Sequence, residues 1–293
     1  MSADAIFKKT CLVTGASSGI GYYTTLNLAK NKCEIIVLCR TKEKAEITCR
    51  NIISASGNQK VSGYHADLSN REEIENAVVK IKSQLNKIDV LIHNAACVSS
   101  TRQLTKENIE LQFAVNHIAP FLLTHHLLPL LQKSENGRIV LVNSRAHRRG
   151  KIHFDDLFFE HGYTLSKAYN QSKLANMLFT YSLAKKMKHT PITVNAFHPG
   201  LVKTEIGNKH VSLLDGMAWQ VLKFLGRNPE KAAKDGIYLA LSNEVLKTTG
   251  GYFHNKKKIK ASDASYNKTD ADKLWNLNLK LCNIDPEFYG EIS

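Results

Sequence analysis

Short runs of mostly apolar, β-branched residues lie at 10–14, 34–39, 61–66, 90–93, 138–143 and 192–197. They lack in/out alternation, which suits strands covered on both faces. Between them, at 20–31, 42–55, 71–85, 106–132 and 166–188, apolar residues recur at helical spacing. Strands alternating with helices build right-handed βαβ crossovers. The pattern predicts an α/β fold: a single doubly wound domain over 1–293, with a central parallel sheet and helices on both faces. Beyond residue 200 the rhythm loosens. Leu213, Leu214, Met217, Ala218, Val221, Leu222 and Leu225 fall on one helical face. That face reads as core, as a membrane contact, or as part of a lid over 201–228. Residues 272–282 read as a closing helix.

Composition narrows the class. With 293 residues, 43% hydrophobic and 23% charged, the chain is long enough for one large core. No apolar run approaches the ~18 residues of a membrane span, and residues 1–9 hold no apolar signal core. The six cysteines lie far apart, without a Cys-x-x-Cys pair, and are expected as buried thiols in a reducing compartment. No metal site is expected. The formal charge of +14 admits nucleic acid, an anionic membrane or a polyanionic cofactor. Basic residues cluster at Arg145, Arg148, Arg149 and Lys151 and at Lys256-Lys257-Lys258. They come without interleaved aromatic residues, so nucleic acid is not the expected partner.

Candidate chemistry begins after the first strand. Gly15, Ser17, Ser18, Gly19, Ile20 and Gly21 form a glycine-rich turn that opens into a helix. Placed inside a βαβ unit, such a turn brings backbone N–H groups and a helix N-terminus to a pyrophosphate. This is the Rossmann arrangement for a dinucleotide. At the end of the second strand, where an acid would hold a ribose 2′-hydroxyl, stand Arg40, Thr41 and Lys44. Arginine there accommodates a 2′-phosphate, so NADP(H) is the expected cofactor. Asp67 and Leu68 end the third strand, where a short acid reaches the adenine amino group.

Tyr169 and Lys173 are four apart and share a helix face. A tyrosine titrates near 10, and an adjacent ammonium favours its phenolate. Ser144, ending the fifth strand, can hydrogen-bond a substrate oxygen. Tyr163 and Lys167 repeat the same spacing, but Ser166 reads as the N-cap of the long helix, which leaves Tyr163 outside it. Helical periodicity continues only after Tyr169.

These motifs, with His93-Asn94-Ala95-Ala96, Asn116, the Tyr169-to-Lys173 run and His198-Pro199-Gly200, resemble the short-chain dehydrogenase/reductase family in order and over the whole chain. Val115-Asn116-His117, Ser144-Arg145-Ala146-His147, Gln171 to Asn176 and Thr204-Glu205 resemble its retinol dehydrogenase-like branch. Ala96 and His93 depart from the usual family residues.

The resemblance implies an NADP-dependent oxidoreductase interconverting a carbonyl and an alcohol, on a lipophilic substrate such as a retinoid, steroid or lipid aldehyde. It implies Ser144, Tyr169 and Lys173 as catalytic, with Asn116 holding a water that joins Lys173 to solvent. It further implies cofactor contacts at Asn94, Pro199, Gly200 and Thr204. The N-terminal anchor of many retinol dehydrogenases has no counterpart here, so a cytoplasmic location, or one peripheral to a membrane, is expected. A homodimer stays open, and so does a non-catalytic NADP-binding sensor or scaffold.

Overall fold

The computed structural model describes residues 9–202 and 228–289. Seven parallel strands run β1 (Thr10–Thr14), β2 (Glu34–Cys39), β3 (Val61–His65), β4 (Val90–His93), β5 (Arg138–Val142), β6 (Thr193–Phe197) and β7 (Gly251–His254). An antiparallel eighth, β8 (Lys257–Lys258), adds to the edge of this expected parallel sheet. The spatial order is β3-β2-β1-β4-β5-β6-β7-β8. β1 therefore pairs with both β2 and β4, and the order reverses there. A doubly wound sheet opens its ligand crevice at such a reversal, beyond the carboxyl ends of the strands.

The strand period of two divides the core. Leu12, Ile36, Leu91, Ile139 and Val194 pack on one face, against α3 (Arg71–Gln84), α5 (Ala119–Leu131), α6 (Leu165–Lys186) and α9 (Lys268–Cys282). Val13, Val37, Ile92, Val140 and Phe197 pack on the other, against α1 (Gly19–Lys30), α2 (Lys42–Ser56) and α8 (Lys234–Leu241), which follows the short α7 (Pro229–Ala232). Both faces are covered, as the unbroken apolar runs required. The exception is edge strand β3, where Ser62, Gly63 and His65 are exposed.

The long helix expected over 106–132 is broken. Glu110 lies before it and accepts hydrogen bonds from the N–H groups of Gln112 (2.9 Å) and Phe113 (2.7 Å), so α4 (Leu111–Phe113) starts five residues late. A π-helical turn at Ala114–Ile118 then inserts before α5. Such turns are frequent at functional sites, and this one carries Asn116. Helix α6 is capped by Thr164, whose Oγ1 accepts from the Lys167 N–H at 3.2 Å, and not by Ser166. Tyr163 lies outside the helix, as expected. All six cysteines are free; five are buried and Cys49 is half-buried. Among the described residues no helix is long and apolar enough to cross a membrane. The face expected from Leu213 to Leu225, most of the proposed lid, and Thr204 lie outside the described residues.

Candidate active site

At the β1–α1 turn the chain needs residues without a side chain. Gly15 has φ +65°, and a Cβ there would stand 2.8 Å from the Ala95 Cα. A Cβ on Gly21 would stand 2.3 Å from the Gly15 carbonyl oxygen, so the turn closes only with glycine at both positions. Asn94 braces the turn: its Nδ2 donates to the Thr14 and Gly15 carbonyls, each at 3.0 Å. Thr14 returns the tie, its Oγ1 accepting from the N–H groups of Asn94 and Ala95. Ser18 takes the N-cap position of α1 without using its hydroxyl as a cap, and the first turn carries no acid. The hydroxyl and the positive end of the helix dipole are thus both available to a phosphate, so the turn fits a pyrophosphate.

A cleft of about 1060 Å³ starts at this turn. Its walls include Gly15, Ser17, Ser18, Gly19, Ile20 and Gly21, then Arg40, Lys44, Asp67, Leu68 and Asn94, and at the far end Ser144, Tyr169, Lys173, Pro199 and Gly200. Of the sequence-predicted residues, Thr41 and Asn116 do not line it. Thr41 caps α2, its Oγ1 accepting from the Lys44 N–H at 3.3 Å. Arg40 Nε lies 3.9 Å from Asp67 Oδ2 in a half-exposed pair, too weak to withdraw the guanidinium from a ligand. The other Asp67 oxygen accepts from the N–H (2.8 Å) and hydroxyl (2.7 Å) of Ser69.

Ser144 follows β5, and its Oγ accepts from the Ala146 N–H at 3.2 Å. The same hydroxyl is hydrogen-bonded to Tyr169. Lys173 is buried, with Nζ 3.3 Å from the Val142 carbonyl and 5.5 Å from the centre of the Tyr169 ring. Burial pushes this lysine down to about 8. It pushes the Tyr169 phenol up to about 12, while the Ser144 hydroxyl pulls the other way. The sequence pattern carried the ammonium's pull toward the phenolate but no record of this burial, which is the largest cause; the ammonium lies toward the ring. At neutral pH the phenol keeps its proton.

Asn116 sits behind the cleft wall. Its Oδ1 accepts from the Cys97 N–H at 2.7 Å, and its Nδ2 donates to the Cys97 carbonyl (3.0 Å) and to Ser172 Oγ (3.1 Å). Its own carbonyl accepts from Asn176 Nδ2 at 2.8 Å. Both functional ends of this side chain are therefore engaged by protein. Asn143, which sequence reasoning passed over, donates from Nδ2 to the Lys173 carbonyl (3.1 Å) and accepts from the Ser144 N–H (2.8 Å). It joins the serine to the helix of the tyrosine, and its only sequence signal is a polar residue ending an apolar strand. Tyr163 lies elsewhere: its hydroxyl donates to the Ser99 carbonyl (2.8 Å) and accepts from Gln112 Nε2 (2.9 Å).

Comparison with known proteins agrees with this geometry. Residues 9–213 match the family described as short chain dehydrogenase. Retinol dehydrogenase 13 of Homo sapiens is 36% identical over 287 residues, covering 94% of this chain and 85% of its own length. Among solved structures, an uncharacterised protein from Mycobacterium Paratuberculosis superposes with a TM-score of 0.76 at 26% identity, covering 95% of this chain and 94% of its own. A short chain dehydrogenase from Escherichia coli CFT073, complexed with NADPH, gives a TM-score of 0.63 at 25% identity and covers 84% of this chain and 95% of its own. Sheet order, glycine turn and the Ser144, Tyr169, Lys173 grouping thus have one explanation: the chain is an oxidoreductase of the short-chain dehydrogenase family, retinol dehydrogenase-like within it.

Proposed function

We propose that the chain is an NADP(H)-dependent oxidoreductase that interconverts a lipophilic carbonyl and its alcohol, poised toward reduction. The carrying observation is one cleft with a phosphate turn and Arg40 at one end and Ser144, Tyr169 and Lys173 at the other. The glycine turn would hold the pyrophosphate, Arg40 and Lys44 a 2′-phosphate, and Asp67 the adenine edge; Asn94, Pro199 and Gly200 complete the cradle. When bound, the cofactor supplies a hydride to the carbonyl carbon.

The protein's part is orientation and a proton. Ser144 donates a hydrogen bond to the carbonyl oxygen. The Tyr169 hydroxyl, protonated at neutral pH, gives that oxygen its proton as negative charge develops. Lys173, charged below about 8, stabilises the tyrosinate left behind. Asn116 contributes by position, since its amide is spent on Cys97 and Ser172. A lipophilic substrate is supported by Val98, Val115, Leu201 and Val202 on the cleft wall and by the retinol dehydrogenase name of its relative. A cytoplasmic or membrane-peripheral location belongs to the same reading.

The test is a panel of retinoid, steroid and aliphatic aldehydes, each offered with NADPH and with NADH. Turnover is expected for apolar carbonyls, with NADPH the better donor. Tight NADPH binding without turnover of any carbonyl would replace the enzyme with a nucleotide sensor.

A further inference from the structure

Among the described residues, the cleft is lined by six cationic side chains, Arg40, Lys44, Arg145, Arg148, Arg149 and Lys173, against one carboxylate, Asp67. The proposed function accounts for half of them: Arg40 and Lys44 for the 2′-phosphate, and Lys173 for the tyrosine. Arg145, Arg148 and Arg149 are left over. They sit on the 3₁₀ turn Arg145–Arg149 that leaves Ser144, at the substrate end. β5, which delivers them, is separated from β2, which delivers Arg40, by β1 and β4. At ~4.8 Å per strand the two strand ends lie about 14 Å apart, which puts the arginine turn beside Ser144 and Arg40 toward the other end of the cleft.

Among the described residues the three are only weakly offset: Arg148 acts electrostatically on Asp263, a carboxylate already paired with Lys260 at 2.8 Å, and none of the three forms an ion pair within 4 Å. Arg148 is tethered instead, donating from Nη2 to the Lys260 carbonyl at 2.5 Å. The positive charge of Arg145 and Arg148 reaches inward far enough to act on buried His198 and Tyr252. All three are exposed and so keep their full charge at the mouth of the cleft, where a guanidinium suits a planar two-oxygen anion that accepts paired hydrogen bonds.

We propose that the substrate carries, away from its reacting carbonyl, an anionic carboxylate or phosphate group that Arg145, Arg148 and Arg149 receive at the mouth of the cleft. This rests on the carbonyl-reducing reading and narrows it, from a lipophilic carbonyl to an amphiphilic one with a charged tail. Ser144 and Tyr169 fix one end of such a molecule and the arginine turn fixes the other.

The experiment compares aldehydes of one chain length ending in a carboxylate, in a phosphate monoester, or in the methyl ester of that carboxylate. With NADPH, an anionic tail should raise kcat/KM about 10- to 100-fold over the ester, mainly through KM, as charge-assisted hydrogen bonds would give. The better of the two anionic arms names the group. Arg145→Met and Arg149→Met, singly and together, should shrink that ratio toward one, and so should added salt. Because the ratio is taken within each variant, a general loss of folding does not move it. A wild-type ratio of one or below overturns the proposal. So does a ratio untouched by both substitutions, even where the same variants lose sedimentation with phosphatidylserine vesicles, which would assign the arginines to a membrane. If no aldehyde is reduced at all, it is the proposed function that falls. Calorimetry of the ω-carboxylate against its ester on the NADP-loaded protein then decides the anion site alone, equal affinities overturning it.

Discussion

Asn116 donates a hydrogen bond from Nδ2 to Ser172 Oγ at 3.1 Å, and Ser172 donates in turn to the Tyr169 carbonyl at 2.8 Å. The π-helical turn is thereby fastened to the turn of α6 that carries Tyr169 and Lys173. Ser172→Ala removes this link at a cost of about 1 kcal/mol. It should lower kcat by more than it raises KM, because it loosens the aim of the tyrosine and leaves the substrate walls intact. Steady-state kinetics beside a thermal melt check this. An unchanged kcat with a lowered Tm would reduce the link to scaffolding.

The two tyrosines separate cleanly. Tyr169 lines the cleft beside Ser144, whereas Tyr163 spends its hydroxyl on Ser99 and Gln112. Tyr169→Phe should cut turnover about 10²- to 10⁴-fold, the range for a positioned proton donor. Tyr163→Phe should keep most activity and lose about 1–3 kcal/mol of stability, since a buried carbonyl and an amide lose their partner. The opposite result in kinetics would sink the site assignment.

Arg40 is the arginine proposed to receive the 2′-phosphate. Arg40→Asp puts a carboxylate where an NAD enzyme holds its ribose hydroxyls, and repels a phosphate. The ratio of kcat/KM for NADPH over NADH should exceed one in the wild type and fall below one in the variant. A wild-type ratio near one would refute the cofactor assignment.

The pH profile follows from opposite shifts. Lys173 sits near 8 and Tyr169 near 12. As pH rises through about 8, the ammonium is lost first while the phenol still holds its proton. Reductive kcat/KM, which reports the free enzyme, should therefore fall above about pH 8. A profile that climbs steadily to pH 10 would mean that the ammonium contributes nothing to reduction.

Sequence pattern foretold the elements whose signal is local. The strands at 10–14, 34–39 and 90–93 match their observed bounds, because continuous apolar runs between helices have little else to become. Strand β7 escaped notice because Gly251 opens it and only Tyr252 and Phe253 supply β-formers; its identity comes from pairing with Asn195, Ala196 and Phe197. The break before α5 was equally hidden, since Glu110 as a buried cap and the extra π residue depend on tertiary neighbours. At the site, spacing could not separate Tyr169 from Tyr163, and helix context favoured Tyr169; the helix does begin after Tyr163. The direction of the tyrosine shift was not legible, because desolvation depends on what packs around the hydroxyl, and spacing along a helix carries no record of that.

His117 makes the last case. It is fully buried on the π turn, donating from Nδ1 to Asn176 Oδ1 (3.1 Å) and accepting at Nε2 from Asn278 Nδ2 (2.9 Å). Burial holds it down to about 4, the two asparagines pulling weakly the other way. An unfolded histidine titrates near 6.5. Between roughly 6.5 and 4 the unfolded chain therefore binds a proton that the folded chain refuses. The stability this refusal protects is whole above 6.5 and lost as pH falls toward 4, by at most about 3 kcal/mol at 1.36 kcal/mol per unit. His117→Gln removes the titration while keeping a polar side chain between the two asparagines. Denaturant unfolding at pH 7.5, 6 and 5 should show a lower stability for the variant at pH 7.5 and a shallower decline on acidification. His93 and His198, likewise depressed to about 3, will keep some decline in both proteins. The decisive quantity is accordingly the difference between the two curves, and strictly parallel curves would show that His117 is protonated as readily folded as unfolded.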